Sequence, residues 1–70
     1  MPKEKSITTR LGTRVEIEVT TVEARQAFSD TVNHAVYGGK WVTLTRRGRP
    51  LARIIPVGDF EALRKLTGPN

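Results

Sequence analysis

The stretch Thr20–Pro56, TTVEARQAFSDTVNHAVYGGKWVTLTRRGRPLARIIP, decides how this chain folds. It opens on Thr20-Thr21-Val22-Glu23, a capping box in which the Thr20 hydroxyl accepts from the Glu23 amide while the Glu23 carboxylate reaches back. Ala24, Ala27, Phe28, Thr31, Val32, Ala35 and Val36 then recur at three- and four-residue spacing, which predicts one buried helix face. Arg25, Ser29 and Asn33, four apart, mark a second and polar face. Gly38 and Gly39 supply the positive φ that ends a helix. Beyond them WVTLT (Trp41–Thr45) and LARII (Leu51–Ile55) are β-rich, and the residues between, Arg46 to Pro50, predict a hairpin connection with Gly48 left-handed. Pro50 and Pro56 bracket the second strand, where a missing donor does least harm.

Outward from this segment the patterns are shorter. Val15, Ile17 and Val19 alternate with Glu16 and Glu18, which predicts a half-buried strand with both glutamates toward solvent. Residues 1–14 are polar and without periodicity, and read as a flexible basic N-terminal arm. After Pro56, Asp59 is placed to cap a short helix whose apolar stripe is Phe60, Leu63 and Leu66. Gly68-Pro69 closes that helix and leaves 67–70 as a tail. The order is strand, helix, β-hairpin, short helix: a single small α+β domain over residues 15–66.

Seventy residues with no cysteine cannot use disulfides or thiolate metal sites for stability. A chain this short buries only about 60% of its unfolded surface, so oligomerisation is the remaining common route and a dimer is expected. No apolar run approaches the roughly 20 residues that span a bilayer. The start, MPKEKSITTR, has no apolar core of a signal peptide, so a cytoplasmic protein without a membrane partner is expected.

Catalysis finds no support in the residues. His34 is the single histidine, and with no cysteine beside it there is neither a nucleophile–base pair nor a metal-ligand set. Glu16 and Glu18 could imitate a carboxylate pair, but same-face strand carboxylates more often keep an edge solvated. No phosphate-cradling glycine loop is present. The reading is a protein that is not an enzyme and needs no cofactor.

Binding is what remains. Twelve Lys and Arg stand against seven Asp and Glu, a net charge of +5. The imbalance is local: no acid lies between Asp30 and Asp59, yet Lys40, Arg46, Arg47, Arg49 and Arg53 do. An undiluted basic region on a compact fold favours a polyanion. On the polar helix face Arg25, with Ser29 and Asn33, could read base edges, since a guanidinium can fork onto guanine. Arg46, Arg47 and Arg49 in the hairpin could hold phosphates.

The pieces Glu23–Ser29 (EARQAFS), Gly39, Val42–Pro50 (VTLTRRGRP), Ala52–Pro56 (ARIIP) and Phe60–Leu63 (FEAL) together closely resemble the Phd/YefM family of antitoxins, over roughly residues 15 to 66. The resemblance implies an α+β homodimer with an antiparallel sheet shared between subunits. It implies binding to palindromic double-stranded operator DNA, repression of its own operon, and a cognate toxin as partner. That toxin is a RelE-like endonuclease, a Fic-fold kinase or a PIN nuclease. Arg25 matches the family's DNA-contacting helix arginine, and Arg46, Arg47 and Arg49 match its basic turn. Two departures stand out. Only Arg64 to Asn70 follow the FEAL segment, at most about 25 Å when extended, so the toxin-wrapping extension is short or missing. The lead before Val15 is longer than in many members.

Two other classes compete with a DNA-binding antitoxin. One is a protein-interaction module that docks on a toxin or enzyme through Phe60, Leu63 and Leu66, with only nonspecific nucleic-acid affinity. The other is a small RNA-binding protein, which would need exposed aromatics for base stacking. Of Phe28, Tyr37, Trp41 and Phe60, two fall on predicted core faces, which argues against RNA.

Overall fold

A computed structural model describes residues 3–66 of the chain. The elements run β1 (Glu4–Thr9), β2 (Gly12–Thr20), α1 (Thr21–Gln26), α2 (Phe28–Val36), β3 (Trp41–Arg46), β4 (Arg49–Ile54) and α3 (Val57–Leu66). The strands form one sheet in the order β1-β2-β3-β4. The closing Gly68-Pro69 and the tail at 67–70 lie outside the described residues.

The sheet is mixed rather than antiparallel. β1 pairs antiparallel with β2, and β3 with β4, but β2 and β3 run parallel with Ile17 beside Val42 and Thr20 beside Thr45. The physical reason is connectivity. A helical segment between two neighbouring strands carries the chain back along the sheet, so the second strand starts at the same end as the first.

The arm read at 1–14 is corrected by the structure, since Glu4–Thr9 is an edge strand in register with Gly12–Ile17 through pairs such as Ser6 with Val15. One apolar residue, Ile7, gives β1 no hydrophobic period. Its order comes from the backbone ladder and from the turn into β2, where Thr9 Oγ1 accepts from Leu11 N at 3.0 Å and donates to Gly12 O at 2.8 Å.

The capping box is present: Glu23 N donates to Thr20 Oγ1, and Thr20 N donates to Glu23 Oε1, both at 3.0 Å. The helix it starts is not continuous. Ala27, at φ −134° and ψ 55°, breaks it into α1 and α2. The break resets the rotational phase, so the face predicted from an unbroken 3.6-residue period is only partly buried. Ala24, Thr31 and Ala35 are buried, but Phe28 is 63% and Val36 59% exposed. Buried Thr31 is satisfied by donating its hydroxyl to Ala27 O at 2.8 Å. The helix stops where expected, but of its two glycines only Gly39 takes the positive φ predicted for both. Gly39 has φ 65°, and a Cβ on Gly38 would lie 2.6 Å from the His34 carbonyl oxygen.

The hairpin is tighter than the five-residue connection its composition predicts. Arg46 pairs directly with Arg49, and Arg47 (φ 54°) with Gly48 (φ 78°) forms a two-residue turn with both φ positive. That twist matches the twist of the flanking strands. Pro50 therefore lies within β4, opposite Thr45 and next to a register shift, instead of before it. An edge strand at an irregularity tolerates the missing N–H.

Ile17, Val19, Ala24 and Val42 form the core between the sheet and α1–α2, with Leu44 and Ile54 packed against it. Strand alternation sends Arg14, Glu16, Trp41, Thr43 and Arg53 to the other face. There Glu18 is exposed as expected, but Glu16 is only 5% exposed. Its carboxylate accepts from Thr43 Oγ1 at 2.7 Å and pairs with Lys5 at 3.4 Å and Arg53 at 3.5 Å. The outer strands β1 and β4 thus bring cations over a glutamate that alternation alone sends to water.

α3 begins at Val57, so Asp59 lies in its first turn rather than at its cap. None of its residues is buried. Within the predicted stripe Leu63 is half-buried, while Phe60 is 51% and Leu66 55% exposed.

Candidate nucleic-acid interface

Parallel pairing of β2 and β3 sets where the basic residues meet. The Thr20–Thr45 pair puts the N-cap of α1 beside the last residue before Arg46. α1 and the β3–β4 turn therefore leave the sheet at the same end. Arg25, exposed in the last turn of α1, lies within about 9 Å of that end along the helix axis, at 1.5 Å per residue.

Arg46, Arg47 and Arg49 line one hollow with Leu51. All three arginines are exposed, and among the described residues no acid lines the hollow. Their crowding follows from the tight turn: a two-residue connection forces cross-strand Arg46 and Arg49 together and leaves Arg47 at the tip. Like charges held this close repel unless an anion intervenes, which is the electrostatic form of an anion-binding surface.

The acid-free interval holds five cations, but the fold withdraws two of them. Lys40 Nζ donates to Glu4 Oε2 at 2.7 Å, and that bond holds the Glu4 carboxyl below its usual range. Arg53 Nε donates to Thr43 Oγ1 at 3.1 Å and reaches Glu16. Both partners lie outside the interval in sequence, so no count along the chain shows the neutralisation. Among the described residues, Arg46, Arg47, Arg49 and Arg25 have no ion pair.

The remaining predicted readers are dispersed. Ser29 is exposed in the first turn of α2. Asn33 lines a separate hollow with Asp30, His34 and Gly38, away from the arginines. The exposed aromatics Phe28, Tyr37 and Phe60 do not line the arginine hollow. Phe28 is nevertheless not the core residue its spacing predicts.

One constellation has no signature in the sequence. Asp59 Oδ2 accepts from Arg14 Nε at 3.0 Å and from Trp41 Nε1 at 2.7 Å, and Oδ1 accepts from Arg14 Nη2 at 3.3 Å. The Arg14 guanidinium, and then the indole N–H, hold the Asp59 carboxyl below its usual range. Glu16 is lowered likewise, chiefly by the Thr43 hydroxyl and further by Lys5 and Arg53, against the opposing effect of burial. The partners of Asp59 are far away along the chain, and only the sheet brings them together. Among the described residues no group of three His, Cys, Asp or Glu is placed to hold a metal ion, and no helix is long and apolar enough to cross a membrane.

Helix start, arginine turn and closing α3 form one frame, and a family model describes that frame. The model for the Phd_YefM antitoxin of type II toxin–antitoxin systems matches residues 16–68. No curated protein and no solved structure matches the chain. With most of its length covered, the chain belongs to the Phd/YefM family of type II toxin–antitoxin antitoxins. β1 and Arg14 precede the matched residues.

Proposed function

We propose that this chain is an antitoxin that binds double-stranded operator DNA as a homodimer, represses its own operon in the cytoplasm, and docks on a cognate toxin. It acts by binding, not catalysis. The observation that carries the DNA reading is the hollow of Arg46, Arg47 and Arg49, free of acids and at the end of the sheet from which α1 and Arg25 emerge. In this reading Arg25 meets base edges and the turn arginines hold the flanking phosphates, with a two-fold dimer matching a palindromic site. Ser29, on the next helix, is a flanking contact; Asn33 is the weakest of the proposed readers, given its separate hollow.

A dimer is supported by what one copy leaves uncovered. Among the described residues, two of the five buried apolar residues are alanines, while Val22, Phe28, Val36 and Tyr37 stand exposed on or just after α1 and α2. A second copy on that side would bury large side chains that a single chain exposes.

Toxin docking is supported by Phe60 and Leu66, half or more exposed on α3, with Leu63 half-buried and lining a hollow with Ile7 and Trp41. The toxin class, whether RelE-like endonuclease, Fic-fold kinase or PIN nuclease, is open to test with the product of the neighbouring gene.

A salt titration of binding to a duplex from upstream of the chain's own gene, beside a scrambled duplex of equal length, tests the DNA reading. Tight stoichiometric binding to the first, with the second far weaker at the same salt, is the expected result. Equal affinities that collapse together as salt rises would leave only nonspecific charge, and the toxin-docking module would become the leading function.

A further inference from the structure

Three hydrogen bonds from two strands converge on one carboxylate at the start of α3. Arg14 of β2 forks onto both Asp59 oxygens, and Trp41 of β3 donates its indole N–H to one of them at 2.7 Å. Arg14 is itself held from behind. Its Nη1 donates to the carbonyls of Leu11 at 3.4 Å and Thr13 at 3.0 Å, in the turn that Thr9 Oγ1 closes. A bidentate fork constrains orientation as well as distance.

Among the described residues, burial does little to set the direction of α3. None of its residues is buried, and an isolated helix of this length has no stability of its own in water. Leu63 lines a hollow with Ile7, Trp41 and Arg53, and apolar burial of that kind carries no directional preference. Arg14 precedes the residues matched by the family model, whereas Trp41 and Asp59 fall within them.

The geometry points to Asp59 as a positioning residue. With Arg14 and Trp41 it latches α3 to the sheet face opposite α1 and α2, and so sets the direction in which Phe60 and Leu66 are presented to the toxin. The presentation step rests on the toxin-docking reading above; the latch does not.

The absence of cysteine and the single tryptophan make both steps measurable in the full chain. Spin labels at Glu18→Cys and Lys65→Cys, both exposed positions, report the direction of α3 as a distance distribution. Acrylamide quenching reports the cover over Trp41. The unaltered latch gives one narrow distance. Asp59→Asn and Arg14→Gln are each expected to broaden it and to raise quenching. Far-UV circular dichroism and operator-duplex affinity stay the same. Affinity for the toxin encoded beside this chain falls about tenfold.

A distribution that stays narrow in both variants overturns the latch. A broadened distribution with unchanged toxin affinity overturns its role in presentation. If the unsubstituted chain fails to bind the toxin, the docking reading fails, and the distance distribution alone then decides the latch. Should Asp59→Asn lose its circular dichroism signal, Arg14→Gln, which leaves the carboxylate and the indole in place, decides it.

Discussion

Glu16 shows how much a single side chain depends on its surroundings. It lies at a position that alternation assigns to solvent, yet it is buried under Lys5, Arg53 and the Thr43 hydroxyl. Glu16→Gln keeps the shape and the Thr43 contact but removes the charge, and is expected to cost about 1–2 kcal/mol in urea denaturation at pH 7. The folded-state pKa values of Glu16 and Asp59 are lowered. Their contribution is therefore present above the unfolded carboxylate pKa, about 4, and is lost as pH falls through the lower folded values. Denaturation followed from pH 6 to pH 2 should show a loss of stability that is shallower in Glu16→Gln. At the surface, Arg25→Ala is expected to cost about 1–3 kcal/mol against the operator duplex and to relax its preference over scrambled DNA. Unchanged operator affinity at matched salt would remove Arg25 from the base-reading role.

The β3–β4 hairpin carries a conflict between local conformation and charge. Arg47 is the one non-glycine among the described residues with positive φ, at 54°, where an L side chain is strained. Strain retained at an exposed tip is often tied to function. Arg47→Gly relieves it and removes one cation, so its two effects should have opposite signs. Thermal stability is expected to hold or rise by up to about 1 kcal/mol. Affinity for operator and scrambled duplexes should fall together, with a shallower salt slope. Parallel loss of stability and binding would show that Arg47 is not held under strain in the turn. At the other helix end, Gly38→Ala would drive a methyl to 2.6 Å from the His34 carbonyl. That close a contact with backbone forces the α2–β3 connection to shift, and a lowered melting temperature is expected.

Across the whole molecule the limiting quantity is apolar burial. Ile17, Val19 and Val42 are the only large apolar side chains buried among the described residues. At about 1.5–3 kcal/mol for each large side chain, such a core is thin against the conformational entropy of the chain. Stability should therefore depend on protein concentration, as it does for obligate dimers. Melting temperatures measured over a hundredfold dilution are expected to fall steadily, and Phe28→Ser is expected to steepen that fall if Phe28 lies between copies. A melting temperature independent of concentration would assign the exposed apolar residues to some other partner.

Local signals carried well where the physics is local. The capping box at Thr20–Glu23, the Gly38–Gly39 stop, the hairpin around Gly48 and the inward pair Ile17 and Val19 all follow from contacts within a few residues or from period-two alternation. The arginine cluster was legible for the same reason, because a turn brings together residues adjacent in sequence. Tertiary structure decided what depends on distant partners. The helical crossover made β2 and β3 parallel, and backbone pairing gave β1 an order that its single apolar residue could not announce. The break at Ala27 turned Phe28 outward, and the sheet delivered Lys5 and Arg53 to Glu16, and Arg14 and Trp41 to Asp59. The charge interval overstated the free basic surface because ion pairs form across strands, between residues that no window along the chain contains.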